Sequence, residues 1–159
     1  MKKIGIFKAM KLCKDYEKMS AEKQQEIQKK RLEEIVEYAR KNSPYYRKLY
    51  QNVPQSFSLT DLPQTDKKNL MENWNDWVCD KELTLEEVEK FMEDTDNIGR
   101  KLKKKYLVFT TSGSTGNPLV SIYDNTANNV MGGISARRSY ARKEDLVAFI
   151  KRGGKSIGV

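Results

Sequence analysis

The sequence predicts an α/β chain: a helical N-terminal region followed by the start of a mixed β-sheet with flanking helices. Three observations predict it. Apolar residues recur at helical spacing through the first 99 positions. Two short segments rich in β-formers, 106–111 and 119–123, then flank a glycine-spaced run of hydroxyls at 110–118. An apolar strand-like pattern also begins at Lys155 and is still running at Val159. The expected division is a helical region over 1–99 and the beginning of an α/β core over 100–159.

Residues 3–19 read as a short basic amphipathic helix, with Ile4, Phe7 and Met10 at helical spacing. Such a helix can lie on a membrane surface or pack onto the body of the protein, and packing is the expectation. Ser20 is placed to cap the next helix, 21–41, in which Leu32, Ile35, Val36 and Ala39 form the apolar stripe. Asn42, Ser43 and Pro44 end it, because proline disfavours helix in the residue before it. Tyr45, Tyr46, Leu49 and Tyr50 then make an aromatic-rich helical turn beside Arg47 and Lys48. Aromatics next to cations can stack on bases, but this spacing points first to an inter-helix contact.

Residues 51–63 read as loop, punctuated by Pro54 and Pro63. Thr65 is the expected cap of a helix over 66–74, and Trp74, Trp77 and Val78 supply a bulky apolar cluster. Thr84 and Glu87 read as a capping box opening a helix that runs to Asp94. Its acidic face (Glu86, Glu89, Glu93 and Asp94) reads as solvated rather than metal-binding, since no second group of carboxylates accompanies it.

After Gly99 a basic run, Arg100, Lys101, Lys103, Lys104 and Lys105, precedes the first strand and reads as its solvated flank. Beyond the second strand, Asn125 is the expected cap of a helix over 126–141, with Ala127, Val130, Met131 and Ile134 turned inward. Gly132 and Gly133 would each weaken that helix by ~1 kcal/mol, so their presence predicts close packing there. A last helix over 143–152 carries Leu146, Val147 and Ile150 on one side, and Gly153-Gly154 stops it. Sheet material thus arrives only in the final third, and the apolar pattern at Val159 has no turn or polar tail. The expectation is the N-terminal part of a larger α/β protein.

Composition narrows the chemistry. With 38% hydrophobic and 33% charged residues, the chain can fold around a modest core. Thirty basic residues against 22 acidic give a net charge of +8, which favours phosphate-bearing partners. Histidine is absent, which excludes Ser-His-Asp and Cys-His mechanisms within this chain. Cys13 and Cys79 alone make no zinc or redox motif, and both read as reduced thiols in a cytoplasmic protein. Lys8, Lys11 and Lys14 interrupt the apolar start, so no signal peptide or transmembrane segment is expected.

The run Thr110-Thr111-Ser112-Gly113-Ser114-Thr115-Gly116-Asn117-Pro118 is the most specific stretch. Small residues let a backbone curl around an anion, and hydroxyls add donors to the main-chain N–H groups. A Walker A loop is not the reading. Its end is imitated by Gly153-Gly154-Lys155-Ser156, but its first glycine would have to stand at 149, which is Phe149.

Residues 110–118 resemble the phosphate loop of the adenylate-forming acyl-CoA synthetase superfamily, with Thr111, Ser112, Gly113, Ser114, Thr115, Gly116 and Pro118 matching its pattern. Asn42-Ser-Pro-Tyr-Tyr-Arg47 and Leu62-Pro-Gln-Thr-Asp-Lys67 are similar to two elements of the phenylacetate–CoA ligase branch, in the same order. Leu119 stands where many superfamily members carry lysine; that branch often lacks it too. The resemblance implies an ATP-dependent ligase that forms an acyl-adenylate from a small carboxylic acid and transfers the acyl group to a thiol such as CoA. It implies ATP and Mg²⁺ as cofactors, with Thr111, Ser112, Gly113, Ser114, Thr115 and Gly116 gripping the phosphates. The rest of the synthetase fold, including the adenine contacts and the acidic metal ligand, would lie beyond Val159, so the chain alone is not expected to form adenylate. The rival is a non-enzymatic basic module that binds nucleic acid or an anionic surface through the +8 charge and the 101–105 run; with the ligase reading, no nucleic-acid partner is expected.

Overall fold

The computed structural model describes residues 3–112, 118–139 and 142–154. Among them are eight α-helices, two 3-10 turns and two β-strands, so the chain is α/β in content and mostly helical. The sheet among the described residues is a single antiparallel pair, where a mixed sheet was expected. The strand expected over 155–159 and the end of the helix expected over 126–141 lie outside the described residues. The chain packs as two compact units, one of Ser20–Tyr123 and one of Met1–Met19 with Asp124–Val159.

The first unit starts with α2, Ala21–Asn42, whose cap is Ser20: its side chain accepts the Lys23 N–H. Its inward residue is Val36, whereas Ile35, expected beside it, is 64% exposed. The stripe is narrower than its apolar composition because α2 has little more than α3 and the following loop to pack on. Pro44–Leu49 forms α3, with Ser43 as cap and Pro44 in its first turn. Ser43 is fully buried and doubly used: its hydroxyl accepts from Tyr46 N–H at 3.2 Å and donates to Asp76 O at 2.9 Å. Arg40 reaches forward to Tyr50 O and Val53 O at 2.8 and 2.6 Å, which pins the loop after α3.

Two short helices follow, α4 at Lys67–Glu72 and α5 at Trp74–Trp77, in place of one helix over 66–74. The cap of α4 is Asp66, whose carboxylate accepts from Asn69 N–H at 2.8 Å, and not Thr65. The Thr65 hydroxyl instead meets the Tyr45 hydroxyl at 2.5 Å. Thr84 caps α6, Leu85–Glu93, by accepting the Glu87 N–H at 3.2 Å. The strands are β1, Leu107–Thr110, and β2, Val120–Tyr123, with Leu107 opposite Tyr123 and Thr110 opposite Val120. Val108, Val120 and Ile122 share the inner face and join Trp74, Val78, Leu83, Val88, Leu102 and Tyr106 in the core. Trp74, 2% exposed, donates its indole N–H to Val120 O at 3.1 Å and so ties α5 to β2.

The second unit pairs α1, Ile6–Glu17, with α7, Asn125–Ser139, and adds α8, Lys143–Lys151. Asp124, not Asn125, caps α7, accepting the Ala127 N–H at 2.7 Å. The expected packing of α1 is present, but its buried residue is Ala9, and Phe7 is 83% exposed. On α7 the close approach expected at the glycines is met at Gly133, while Met131, expected inward, is 52% exposed. Gly153 and Gly154, both at positive φ, close α8. Gly153 N–H bonds Ile150 O and Gly154 N–H bonds Phe149 O, the paired bonds of a glycine helix stop. Among the described residues no helix is long and apolar enough to cross a membrane.

Candidate functional site

The hydroxyl-rich run connects β1 to β2. The β register carries on past the strands: Thr111 N–H donates to Leu119 O at 3.1 Å, and Leu119 N–H donates to Thr111 Oγ1 at 2.9 Å. Two hydrogen bonds thus join Thr111 to Leu119 at the two ends of the run. Thr111 and Ser112 are exposed. The Thr111 oxygen already accepts one bond, which leaves its O–H proton as a donor. Gly113, Ser114, Thr115 and Gly116 lie outside the described residues.

The start of β2, which follows the run, is anchored in the core. Val120 packs on Trp74 in the core, its carbonyl holds the indole N–H, and its N–H approaches the Met71 sulfur at 3.4 Å. Segments 42–47, 62–67 and 110–118 all fall within the Ser20–Tyr123 unit. Segments 42–47 and 62–67 meet through the Tyr45–Thr65 hydroxyl pair. α5 joins the first to the hairpin, through Asp76 O to Ser43 and through Trp74 to Val120. The aromatics of α3 are turned on one another, with Tyr46 and Tyr50 stacked at 5.2 Å.

The basic run ahead of β1 is a tight turn. Leu102 and Tyr106 exchange backbone bonds at 2.9 and 3.0 Å, and Lys103 and Lys104 hold φ of 49° and 56° between them. Lys103 Nζ bonds Glu82 O and pairs with Glu87 at 3.0 Å; Lys105 Nζ pairs with Asp80 at 2.9 Å. The Tyr106 hydroxyl also donates to Asp80. That bond, then Lys105, holds the Asp80 carboxyl below its ordinary value, while Tyr106 and Asp80 raise Lys105. Sequence patterning missed this cluster, because no spacing rule links Asp80 to residues 105 and 106.

Other chemistry is sparse. Burial pushes the Cys79 thiol up, and burial with the Glu17 carboxylate does so for Cys13, so neither is an activated nucleophile. Among the described residues no group of three or more His, Cys, Asp or Glu side chains converges to hold a metal ion. The Asp94 carboxylate is used locally, by Asp96 N–H and the Asn97 amide. A groove of about 780 Å³ opens between α2 and the 56–61 turn, lined among others by Lys29, Leu32, Phe57 and Leu59 and by none of the described residues of 110–118. Compared with known proteins, the chain matches no family model, no curated protein and no solved structure.

Proposed function

We propose that this chain supplies the ATP phosphate-binding loop of a carboxylate-activating ligase similar to the phenylacetate–CoA ligases. In that chemistry a carboxylate oxygen attacks the α-phosphorus of ATP, the bond to the β-phosphate breaks, and pyrophosphate leaves. A thiol such as that of CoA then takes the acyl group and AMP departs. The role of the loop is to hold the β- and γ-phosphates in line as the leaving group forms, which is positioning and electrostatic stabilisation. Ser112, Ser114 and Thr115 are the proposed hydroxyl donors, and Gly113 and Gly116 allow the backbone to approach. The chain would form part of an incomplete synthetase fold, with the acid and thiol sites and the Mg²⁺ ligands supplied outside the described residues.

The observation that supports this reading is the pairing at the ends of the run. The hydroxyls and glycines of the sequence stand between two antiparallel strands whose register continues through the Thr111–Leu119 pair. That is the strand-to-strand setting expected of this phosphate loop and not of a Walker loop. The tie between segments 42–47 and 62–67 adds support, since α5 connects the first of them to β2. Against the nucleic-acid alternative stand Lys103 and Lys105, which are committed to Glu87 and Asp80.

Calorimetric titration of the chain with ATP tests the proposal. Ser112→Ala/Ser114→Ala/Thr115→Ala is expected to weaken binding by at least about tenfold, from roughly 0.5–1.5 kcal/mol per lost hydrogen bond. Binding that ignores this substitution and collapses steeply with salt would favour the basic-surface alternative.

A further inference from the structure

The outer face of α1 carries a pattern that its packing does not use. Phe7, Lys11, Lys14 and Lys18 stand at i, i+4, i+7 and i+11, on one helical face, and Lys8 flanks it. All five are exposed, Phe7 at 83%. The opposite side is where Ala9 and Ile6 meet Gly133 and Gly132 of α7. The acidic residues of the helix are committed: Asp15 pairs with Lys11 at 2.5 Å and Glu17 with Arg137 at 2.8 Å. Lys8, Lys14 and Lys18 make no ion pair with the described residues, and the lysine row runs ~15 Å along the axis.

A helix that satisfies its apolar stripe on a partner gains nothing by presenting a phenyl ring among lysines. At a bilayer interface the same arrangement is favourable on both counts: an aromatic ring enters the headgroup–acyl boundary, and lysines face anionic headgroups. Nucleic acid would satisfy the lysines but offers no apolar layer for the ring. We propose that the outer face of α1 docks the protein on anionic lipid bilayers, with Phe7 entering the interface and the unpaired Lys8, Lys14 and Lys18 against the headgroups. The proposal uses no residue of 110–118, and it holds or fails independently of nucleotide binding.

Sedimentation of the whole chain with phosphatidylcholine vesicles and with phosphatidylcholine–phosphatidylserine vesicles tests it. Binding is expected only to the second. Each lysine near an anionic surface contributes about fivefold, so Lys8→Gln/Lys14→Gln/Lys18→Gln should lower partitioning about 100-fold. Phe7→Ser should lower it at least about tenfold. Lys29→Gln/Lys30→Gln/Arg31→Gln removes the same charge from exposed positions of α2 and should have little effect. Equal losses from both triple variants, indifference to Phe7→Ser, or no binding to the anionic vesicles would each overturn the proposal. So would tight oligonucleotide binding that depends on the α1 lysines but not on Phe7. Circular dichroism of each variant confirms that exposed substitutions have left the fold intact.

Discussion

Two adjacent glycines of α7 face opposite consequences when given a side chain. A Cβ at Gly133 would fall 2.6 Å from the Ala9 Cβ and 2.9 Å from the Ile6 carbonyl oxygen, so the α1 backbone would have to move. At Gly132 the nearest atom is the tip of the Ile6 side chain at 3.3 Å, which can rotate away. Alanine in a helix is favoured over glycine by ~1 kcal/mol, whereas overpacking a contact costs about 1–3 kcal/mol. Gly133→Ala is therefore expected to destabilise the α1–α7 pair by up to about 2 kcal/mol, and Gly132→Ala to be neutral or stabilising by up to ~1 kcal/mol. Urea unfolding followed by circular dichroism reads both. The sequence already pointed to this contact, since paired glycines inside a helix need a reason. It did not separate cap-capable neighbours. Thr65 precedes Asp66 and Asn125 follows Asp124, and either member of each pair can cap. Tertiary bonding decided the first, because Tyr45 occupies the Thr65 hydroxyl.

Elements were legible where local chemistry is self-sufficient. Ser20 and Thr84 cap the helices they precede, and the β-rich segments either side of 110–118 do pair. Inward faces were less so. Ile35, Phe7 and Met131 fit an apolar period yet stay exposed, because each helix has a partner on a narrow arc only, and periodicity assumes a wide one. The turn at 102–106 left no trace in the sequence, since turns with two left-handed residues ordinarily announce themselves as Asn-Gly. Here two lysines adopt that geometry, held by Lys103 to Glu87 and Lys105 to Asp80. A left-handed non-glycine residue costs roughly 1–2 kcal/mol. Lys104→Gly removes this strain at φ 56° without touching either ion pair. Allowing for the extra freedom of glycine in the unfolded chain, it should stabilise the protein by about 0.5–1 kcal/mol, read as a raised urea midpoint.

For the whole molecule, the Asp80 cluster links distant parts of the sequence and makes stability depend on pH. The Tyr106 hydroxyl and Lys105 favour the carboxylate, so the folded pKa lies below the unfolded value of ~3.9. The stabilisation is accordingly full above that unfolded value and is lost as pH falls through the folded one. Asp80→Asn should lower stability at neutral pH, and its deficit relative to the parent should shrink as pH drops below about 4. Urea midpoints at several pH values test this; a deficit constant with pH would remove the charge from the explanation.

The Trp74–Val120 bond has a practical consequence for such experiments. An indole seated in the core and hydrogen-bonded to the strand that leaves the loop is an intrinsic fluorophore wired to the candidate site. Trp77 is the only other tryptophan, so replacing it with phenylalanine would leave a single emitter reporting on β2. Occupancy at 112–118 could then be followed by light, with no label attached.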